Sequence, residues 1–416
     1  MVRFPFRRTA PLVVSPAIYA GRPLGRGQYL LILSALALGS FAIGTSEFGS
    51  MALLTHIAAD LHVDVPRAGH LVSAYALGVV VGAPALAILG ARLRRRPLLL
   101  ALMVFYALGN LASAVVPGYW GMMLARFVAG LPHGAYFGVA ALVAAAVSRP
   151  DQRGSAVGRV MMGLSAAVLV GNPLASWLGE VAGWRWTYAL VSAIALLTVA
   201  AVAWLLPDDP GQPADDPRAE MRAFNRPQVW LALGIGAVGF AGMFCVFAYL
   251  VPTLAEVTRL GPHWVPLALA CFGLGSIVAT PLGGWLYDRL GFAAVGGILL
   301  WVTAVLAFWP FATGSAWTLL PAVALVGSIG ALGPALQMRL MDVGTGAQTL
   351  TAASHHAAFN VANALGPWLG GLAIGAGYGW SVTGYVGAAT TVAGLLVYVL
   401  ARRYDRQAAG RHAPAA

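Results

Sequence analysis

Charge is what this chain has least of. Asp, Glu, Lys and Arg together make up 9% of its 416 residues, against about 25% in an average soluble domain. So few charges cannot build a water-facing surface for a chain of this length, which excludes an ordinary water-soluble enzyme. Lysine is absent altogether, so all 25 basic side chains are arginine, set against 14 acidic ones for a net charge of +11. Cysteine is scarce too. Cys245 and Cys271 both sit in apolar runs, without the clustered ligands that a disulfide scaffold or a metal site requires. They read as small apolar residues of a packed interior. No phosphate-binding loop or dinucleotide fingerprint stands between a strand and a helix, and neither metal nor cofactor is expected.

Apolar sequence is what the chain has in abundance: 59% of it is hydrophobic, with a mean hydropathy of +0.78. A helix needs about 20 mostly apolar residues to cross a bilayer. Twelve such stretches run over 29–52, 68–90, 97–116, 119–147, 157–179 and 187–206, then 228–253, 264–286, 293–313, 316–338, 348–375 and 380–401. Breakers such as Pro117-Gly118, Ala182-Gly183 and Gly377-Tyr378-Gly379 separate them. The runs are continuous rather than alternating at period two, which speaks against a closed barrel. Only helices then satisfy their own backbone in lipid. The expected class is an all-α membrane protein of twelve transmembrane helices in two six-helix bundles.

The arginines orient these spans. With the N-terminus inside, the cytoplasmic segments hold Arg3, Arg7, Arg8, Arg22 and Arg26, then Arg92, Arg94, Arg95, Arg96, Arg149, Arg153 and Arg159. They continue with Arg218, Arg222, Arg226, Arg289 and Arg339, and end with Arg402, Arg403, Arg406 and Arg411. The opposite side receives Arg67, Arg185 and Arg259, and Arg126 alone falls inside a span. Arginine enriched this strongly on one side predicts that both termini are cytoplasmic. The basic charge is therefore topology and not a nucleic-acid footprint. Residues 1–27 lack a long apolar core and read as a cytoplasmic tail, not a cleaved signal. Residues 28–206 form the first bundle, the Pro- and Asp-rich stretch 207–227 an exposed cytoplasmic linker, 228–401 the second bundle and 402–416 a cytoplasmic tail.

The halves carry a faint repeat. Shifted by the 197 positions that separate Gly78 from Gly275, Pro84 falls on Pro281, Leu89 on Leu286, and Arg92-Leu93 on Arg289-Leu290. A duplicated six-helix unit joined by a linker is the layout of parallel-repeat transporters.

Several motifs point the same way. GGWLYDRLG, from Gly283 to Gly291, closes the eighth span, and GAPALAILGARLRRRP closes the second with Ala91 in the place of Asp288. RFVAGLPHGAYFG runs from Arg126 to Gly138, GTSEFGSMALL surrounds Glu47, and GLSAAVLVGNPLASWLG has Asn172 interposed before Pro173. GWRWTY at 183–188 and AAFNVANALGPWLGG at 357–371 complete the set. Over 28–401 the chain resembles the major facilitator superfamily. Within it the chain is most similar to drug:proton antiporters of the first type and to their arabinose-efflux permease branch. The resemblance implies a gating loop built on Gly284, Asp288, Arg289 and Gly291, with Arg92 in the degenerate first copy. It also implies an acidic first-helix motif at Glu47, an embedded-arginine motif at Arg126 that includes His133, and an antiporter motif at Asn172.

A charge near the bilayer centre costs about 2.5–3.5 kcal/mol on insertion scales and calls for a partner or water. Glu47 lies late in an outward-running span and Arg126 early in an inward-running one, so both fall in the outer half at similar depth, as an ion pair would require. Glu47, Arg126 and His133, two turns beyond Arg126 on the same face, are the candidate proton-coupling residues. Snorkelling of Glu47 to the headgroups, or plain helix anchoring by Arg126, is the structural alternative. Thr349, His356, Asn360 and Asn363 follow i, i+7, i+11 and i+14 on one stripe, which either glues helices or lines a water-filled path. His355 points about 100° away. Phe240, Phe244 and Phe247 form an aromatic stripe suited to core packing or to an amphipathic ligand. Pro173 and Pro367 mark kinks, with Asn172 a candidate substrate contact.

The expectation is a secondary transporter that exports a small neutral or amphipathic compound, of drug, sugar or nucleoside class, by proton antiport. Its partners are that substrate, protons and the lipid bilayer, and it acts as a monomer driven by the proton-motive force. The alternatives are an uncoupled facilitator or importer of the same fold. A membrane enzyme would need a nucleophile, a metal cluster or an acid/base pair at a membrane face, and none is apparent.

Overall fold

A computed structural model describes residues 18–19, 22–208 and 217–411. Arg3, Arg7 and Arg8 of the expected tail, residues 209–216 of the expected linker and residues 412–416 lie outside the described residues. Six long helices form the first half: α1 Arg26–Ala52, α2 Val65–Gly90, α3 Arg95–Val115, α4 Tyr119–Ala146, α5 Pro150–Val181 and α6 Trp184–Leu205. Six more form the second: α7 Pro227–Ala248, α8 Val265–Leu290, α9 Phe292–Ala312, α10 Ala316–Val343, α11 Gln348–Ala373 and α12 Thr383–Arg411. Among the described residues, eleven of the twelve are long and apolar enough to cross a membrane. The exception is α11, whose Thr, His and Asn residues lower its apolarity, although at 26 residues it is as long as α8. The chain is thus a multi-pass, all-α membrane protein.

Several ends differ from the sequence expectation. α12 continues past residue 401 to Arg411, because the polar RRYDRQAAGR run contains helix-compatible residues and no proline to stop it. The N-terminal tail contains a two-residue antiparallel ladder, Ile18 on Pro23 and Tyr19 on Arg22. The linker is not wholly exposed. Its short helix Pro217–Arg222 packs on α2 and α11, and half-buried Phe224 wedges among Ala83 and Ala87 of α2 and Leu350 and Ala353 of α11. Trp230 Nε1 donates to the Phe224 carbonyl at 2.6 Å, and Arg226 Nη1 reaches the Val343 carbonyl at 3.0 Å.

Small residues let the helices approach, as lipid-solvated bundles require. α2 crosses α4 where Gly78 lies on the Phe127 carbonyl and Gly130 on the Tyr75 carbonyl, leaving no room for a Cβ at either glycine. In the second half Gly275 lies on the Ala324 carbonyl and Gly327 on the Phe272 carbonyl. All four pairs of positions are related by the offset that brings Gly78 to Gly275, so the repeat extends from sequence to helix-crossing register. Exposed Trp120, Trp186 and Trp317 ring one end of the bundle and Trp204, Trp230 and Trp285 the other, as amphipathic rings do at the two membrane–water interfaces.

The halves meet along two seams, α5 against α8, and α2 with α4 against α11. Both are closed at the end that carries Arg92–Arg96 and Arg289, called the arginine-rich end below. Towards the opposite end they part.

Candidate functional site

The parting leaves a cavity of about 740 Å³ between the halves. Met51 at the end of α1, Ser73 near the start of α2, Phe247 late in α7 and Pro367 late in α11 all line it, which places its mouth away from the arginine-rich end. Phe48, Phe244 and Phe247 also line a smaller chamber of about 60 Å³ beneath it. The chamber wall is chiefly aromatic. Phe359 meets Phe240 and Phe244 edge-on at 5.1 and 4.9 Å, and Phe247 contacts Phe272 at 4.5 Å. His355 and His356 supply its imidazoles. On its α5–α8 side Ser165 lies 2.8 Å from the Ser276 hydroxyl and 3.1 Å from that of Thr280, a polar stitch across the two halves.

Further toward the arginine-rich end, a carboxylate secures the same seam. Asp288, late in α8, accepts from the Gly154 and Ser155 backbone N–H groups at 2.6 and 2.8 Å and from the Ser155 hydroxyl at 2.7 Å. These N–H groups open the α-helical part of α5, which begins at Arg153, where helix geometry leaves donors unpaired and a partial positive charge. The crossing is tight because Gly284 lies against the Gly154 carbonyl, where any Cβ would collide. Gly291, at φ +57°, ends the helix. Arg289 turns outward, its guanidinium 5.3 Å from the Trp285 ring, and Arg92 is exposed on the turn after α2. Of the expected gating residues, Asp288 and Gly284 lie in the seam and the two arginines do not.

The embedded charges lie in the first half. α1 and α4 do meet, but the ion pair expected between Glu47 and Arg126 is not formed. Arg126 Nη1 donates to the Ser46 hydroxyl at 2.9 Å and Nη2 to the Ser46 carbonyl at 3.4 Å, while the guanidinium lies 4.4 Å over the Tyr75 ring and 5.1 Å from that of Tyr188. Ser46 in turn donates to Asn110 Oδ1 at 2.6 Å. Neutral partners and aromatic faces thus hold the arginine in place of the acid. Glu47 is 3% exposed and neither carboxylate oxygen has a hydrogen-bond partner. Its chain neighbour Phe48 stands in the cavity wall.

His133 lies 3.0 Å through Nδ1 from the Tyr75 hydroxyl, and its Nε2 has no partner. Its ring is 5.3 Å from His356 of the other half, which stacks on Phe137 of α4 at 4.1 Å and 19°. His355 sits 5.2 Å from His356. The histidines therefore span the α4–α11 seam, though no metal-holding group of His, Cys, Asp or Glu occurs among the described residues. On the polar stripe of α11, Asn360 donates to the His356 carbonyl at 3.0 Å and keeps Oδ1 unpartnered, and both Asn360 and Asn363 line the larger cavity. Tyr249 donates to the Pro367 carbonyl at 2.8 Å. Asn172 also lines that cavity with Oδ1 unpartnered. The bend expected at Pro173 coincides with a π-helical turn over Ala167–Gly171, a feature frequent at functional sites.

Sequence reasoning did not single out Tyr75, Ser46, Asn110 or Tyr188, which hold the arginine, nor Phe48, Phe272 and Phe359 of the chamber. It also ranked His355 below its neighbour. Serine and tyrosine on membrane helices carry no signal of their own until the packing partner is known.

Among the described residues, twelve long helices in two related halves, eleven of them apolar enough to span a membrane, sealed at one end and parted over a ligand-sized cavity at the other, define a multi-pass membrane transporter. The chain belongs to the Major Facilitator Superfamily, whose family profile matches residues 36–351 and, in a second match, 250–416. It is 38% identical over 373 residues to the inner membrane transport protein YdhP of Escherichia coli O157:H7, covering 89% of this chain and 96% of that one. It is 34% identical over 356 residues to a chloramphenicol resistance protein of Streptomyces lividans, covering 83% and 89%. Among solved structures, the Escherichia coli transporter FucP shares the fold with a TM-score of 0.72 at 15% identity, over 90% of this chain and 99% of that one. The family is one of transporters and not of enzymes, as the names of YdhP and FucP state.

Proposed function

We propose that the protein exports a small neutral or amphipathic compound in exchange for protons, by alternating access, with the arginine-rich end in the cytoplasm of a bacterial inner membrane. The observation that carries this reading is Glu47, an acid enclosed in the membrane interior beside the cavity wall, with both oxygens unbonded. An intramembrane carboxyl costs too much to be kept for packing alone, and a group that can gain a proton while facing the cavity and release it after the halves rock is the least a proton antiporter needs. With this orientation the cavity opens outward and the Asp288 seam closes the cytoplasmic path. Binding would fall to the aromatic chamber of Phe240, Phe244 and Phe247 and to Asn172, His356, Asn360 and Asn363 around it. A volume of about 740 Å³ suits a drug-sized ligand, for which pockets run to about 300–1,000 Å³. The aromatic walls favour the drug class over the sugar class, while the relatives include both a chloramphenicol resistance protein and probable sugar efflux transporters. Energy would come from the proton-motive force, and the protein would work as a monomer without a cofactor.

Inverted membrane vesicles test the coupling. An imposed pH gradient is expected to drive accumulation of the exported compound. Glu47→Gln should cut that accumulation at least fivefold, the lower end of usual coupling between two sites, while leaving substrate counterflow intact. Gradient-driven accumulation undiminished by Glu47→Gln would remove the proton role.

A further inference from the structure

Tyr75 touches both polar parts of the first half. Its ring face carries the Arg126 guanidinium at 4.4 Å, and its hydroxyl lies 3.0 Å from His133 Nδ1 and 3.4 Å from the Tyr106 hydroxyl. One step beyond His133 is His356, across the seam in α11. A continuous line of contacts therefore runs from Ser46, beside Glu47, through Arg126, Tyr75 and His133 into the second half. The titratable and charged side chains facing this line are Glu47 of α1, Tyr106 of α3, Arg126 and His133 of α4, Tyr188 of α6, and His355 and His356 of α11.

The repeat shows that the helix crossing does not need this hydroxyl. The glycine contacts set α2 on α4 and α8 on α10 in the same register, and at that offset Tyr75 corresponds to Phe272, Arg126 to Val323 and His133 to Gly330. The second half makes the equivalent crossing with phenylalanine, and Phe272 serves as chamber wall. Burying a hydroxyl in the membrane interior is unfavourable unless it is bonded. The hydroxyl that distinguishes Tyr75 from its counterpart thus has His133 as its shorter partner and Tyr106 as its longer one, and it occurs where an arginine also lies on the ring.

We propose that Tyr75 is a positioning residue that couples the proton occupancy of Glu47 to the contact between His133 and His356 at the seam. The inference rests on the proton-antiport reading. With Arg126 held by Ser46 and the two tyrosine rings, Tyr75 is pinned and its hydroxyl engages His133 Nδ1. A charge on Glu47 draws the guanidinium towards it and off the Tyr75 face, because an anion outcompetes the weaker attraction of a ring quadrupole. The released ring shifts its hydroxyl, and the hydrogen bond that orients the His133 ring and fixes its tautomer changes with it. The imidazole then meets His356 differently, and the seam between the halves responds.

The test uses nitroxide labels at exposed Gln152 and Leu290, which flank the Asp288 seam on opposite halves, in the full chain with Cys245 and Cys271 replaced by alanine. Pulsed electron resonance reports the fraction of molecules open at this end, at about pH 5.5 and pH 8, either side of the range in which proton-coupled groups act. The fraction is expected to change at least about fivefold with pH in the labelled parent. Glu47→Gln and Tyr75→Phe should each flatten the profile to less than about twofold, while Tyr106→Phe, which removes the neighbouring hydroxyl, keeps it. Melting in detergent checks that Tyr75→Phe folds; if it does not, His133→Gln replaces it, with the same flattened profile expected. A parental profile flattened by Glu47→Gln but not by Tyr75→Phe overturns the role of Tyr75 and leaves antiport standing. A parental profile that is already flat overturns both.

Discussion

Arg126 is 1% exposed, yet the groups that hold its guanidinium are a serine and two aromatic faces. This arrangement suits arginine in particular, since a planar fork can donate two hydrogen bonds while stacking between rings and an ammonium cannot. Arg126→Lys keeps the charge but loses that geometry. It is expected to lower transport about tenfold, equivalent to roughly 1.4 kcal/mol, with counterflow measured in proteoliposomes; unchanged counterflow would mean that charge alone is what matters. The burial of Glu47, Arg126 and His133 within the bundle was legible in the sequence, because a charge or an imidazole in an apolar run demands an explanation. Their contacts were not. Charge complementarity suggested that Arg126 would seek Glu47, whereas the helix packing offers it Ser46 first. His355 was undervalued for a related reason. α11 is enclosed on several sides, so a residue 100° off the polar stripe still meets the chamber.

Among the helices, the two seams at the arginine-rich end are closed by different means. On α5–α8 the lock is Asp288 on the first N–H groups of an α-helix. In the first half the matching position is Ala91, which cannot accept a hydrogen bond, and the α2–α11 seam is instead covered by the linker helix and filled by Phe224. Asp288→Asn keeps the size of the side chain but loses the charge-assisted bonds, each worth about 1.5 kcal/mol or more. It should raise the fraction of molecules open at this end roughly tenfold, measured with labels at Gln152 and Leu290. Phe224→Ala should shift the same equilibrium in the same direction. Equal open fractions in parent and variants would show that neither group holds the seam. The loop motif at Asp288 could be read from the sequence, as could the degeneracy of its first copy. The role of Phe224 could not, because a linker rich in Pro and Asp reads as solvated and its docking depends on two helices that are distant in the chain.

At the scale of the whole molecule, the twelve long helices, eleven of which qualify as spans among the described residues, the two halves and the segregation of arginine could be read from apolar run length and the placement of one residue type. The repeat was visible in a few aligned residues and becomes firm in the paired glycine crossings. What the sequence left hidden is how unequally the halves use their common plan. The first keeps a polar core around Arg126, and the second converts corresponding positions to Phe272 and Val323 and devotes itself to aromatic walls. α11 carries the cost of this division. It bears His355, His356, Asn360 and Asn363, and among the described residues is the one long helix too polar to qualify as a span by its own composition. During synthesis it has little affinity for lipid and must enter the membrane on the strength of neighbours already there, α7 of its own half together with α2 and α4 of the first half. A chain starting at Pro227 is therefore expected to leave α11 outside the bilayer in a large fraction of molecules, with α12 inverted or expelled, as cysteine accessibility in Gly375 and Arg403 cysteine variants would reveal. Co-expression of residues 1–226 should restore it, making the first half an insertion partner for the second before it is a partner in transport.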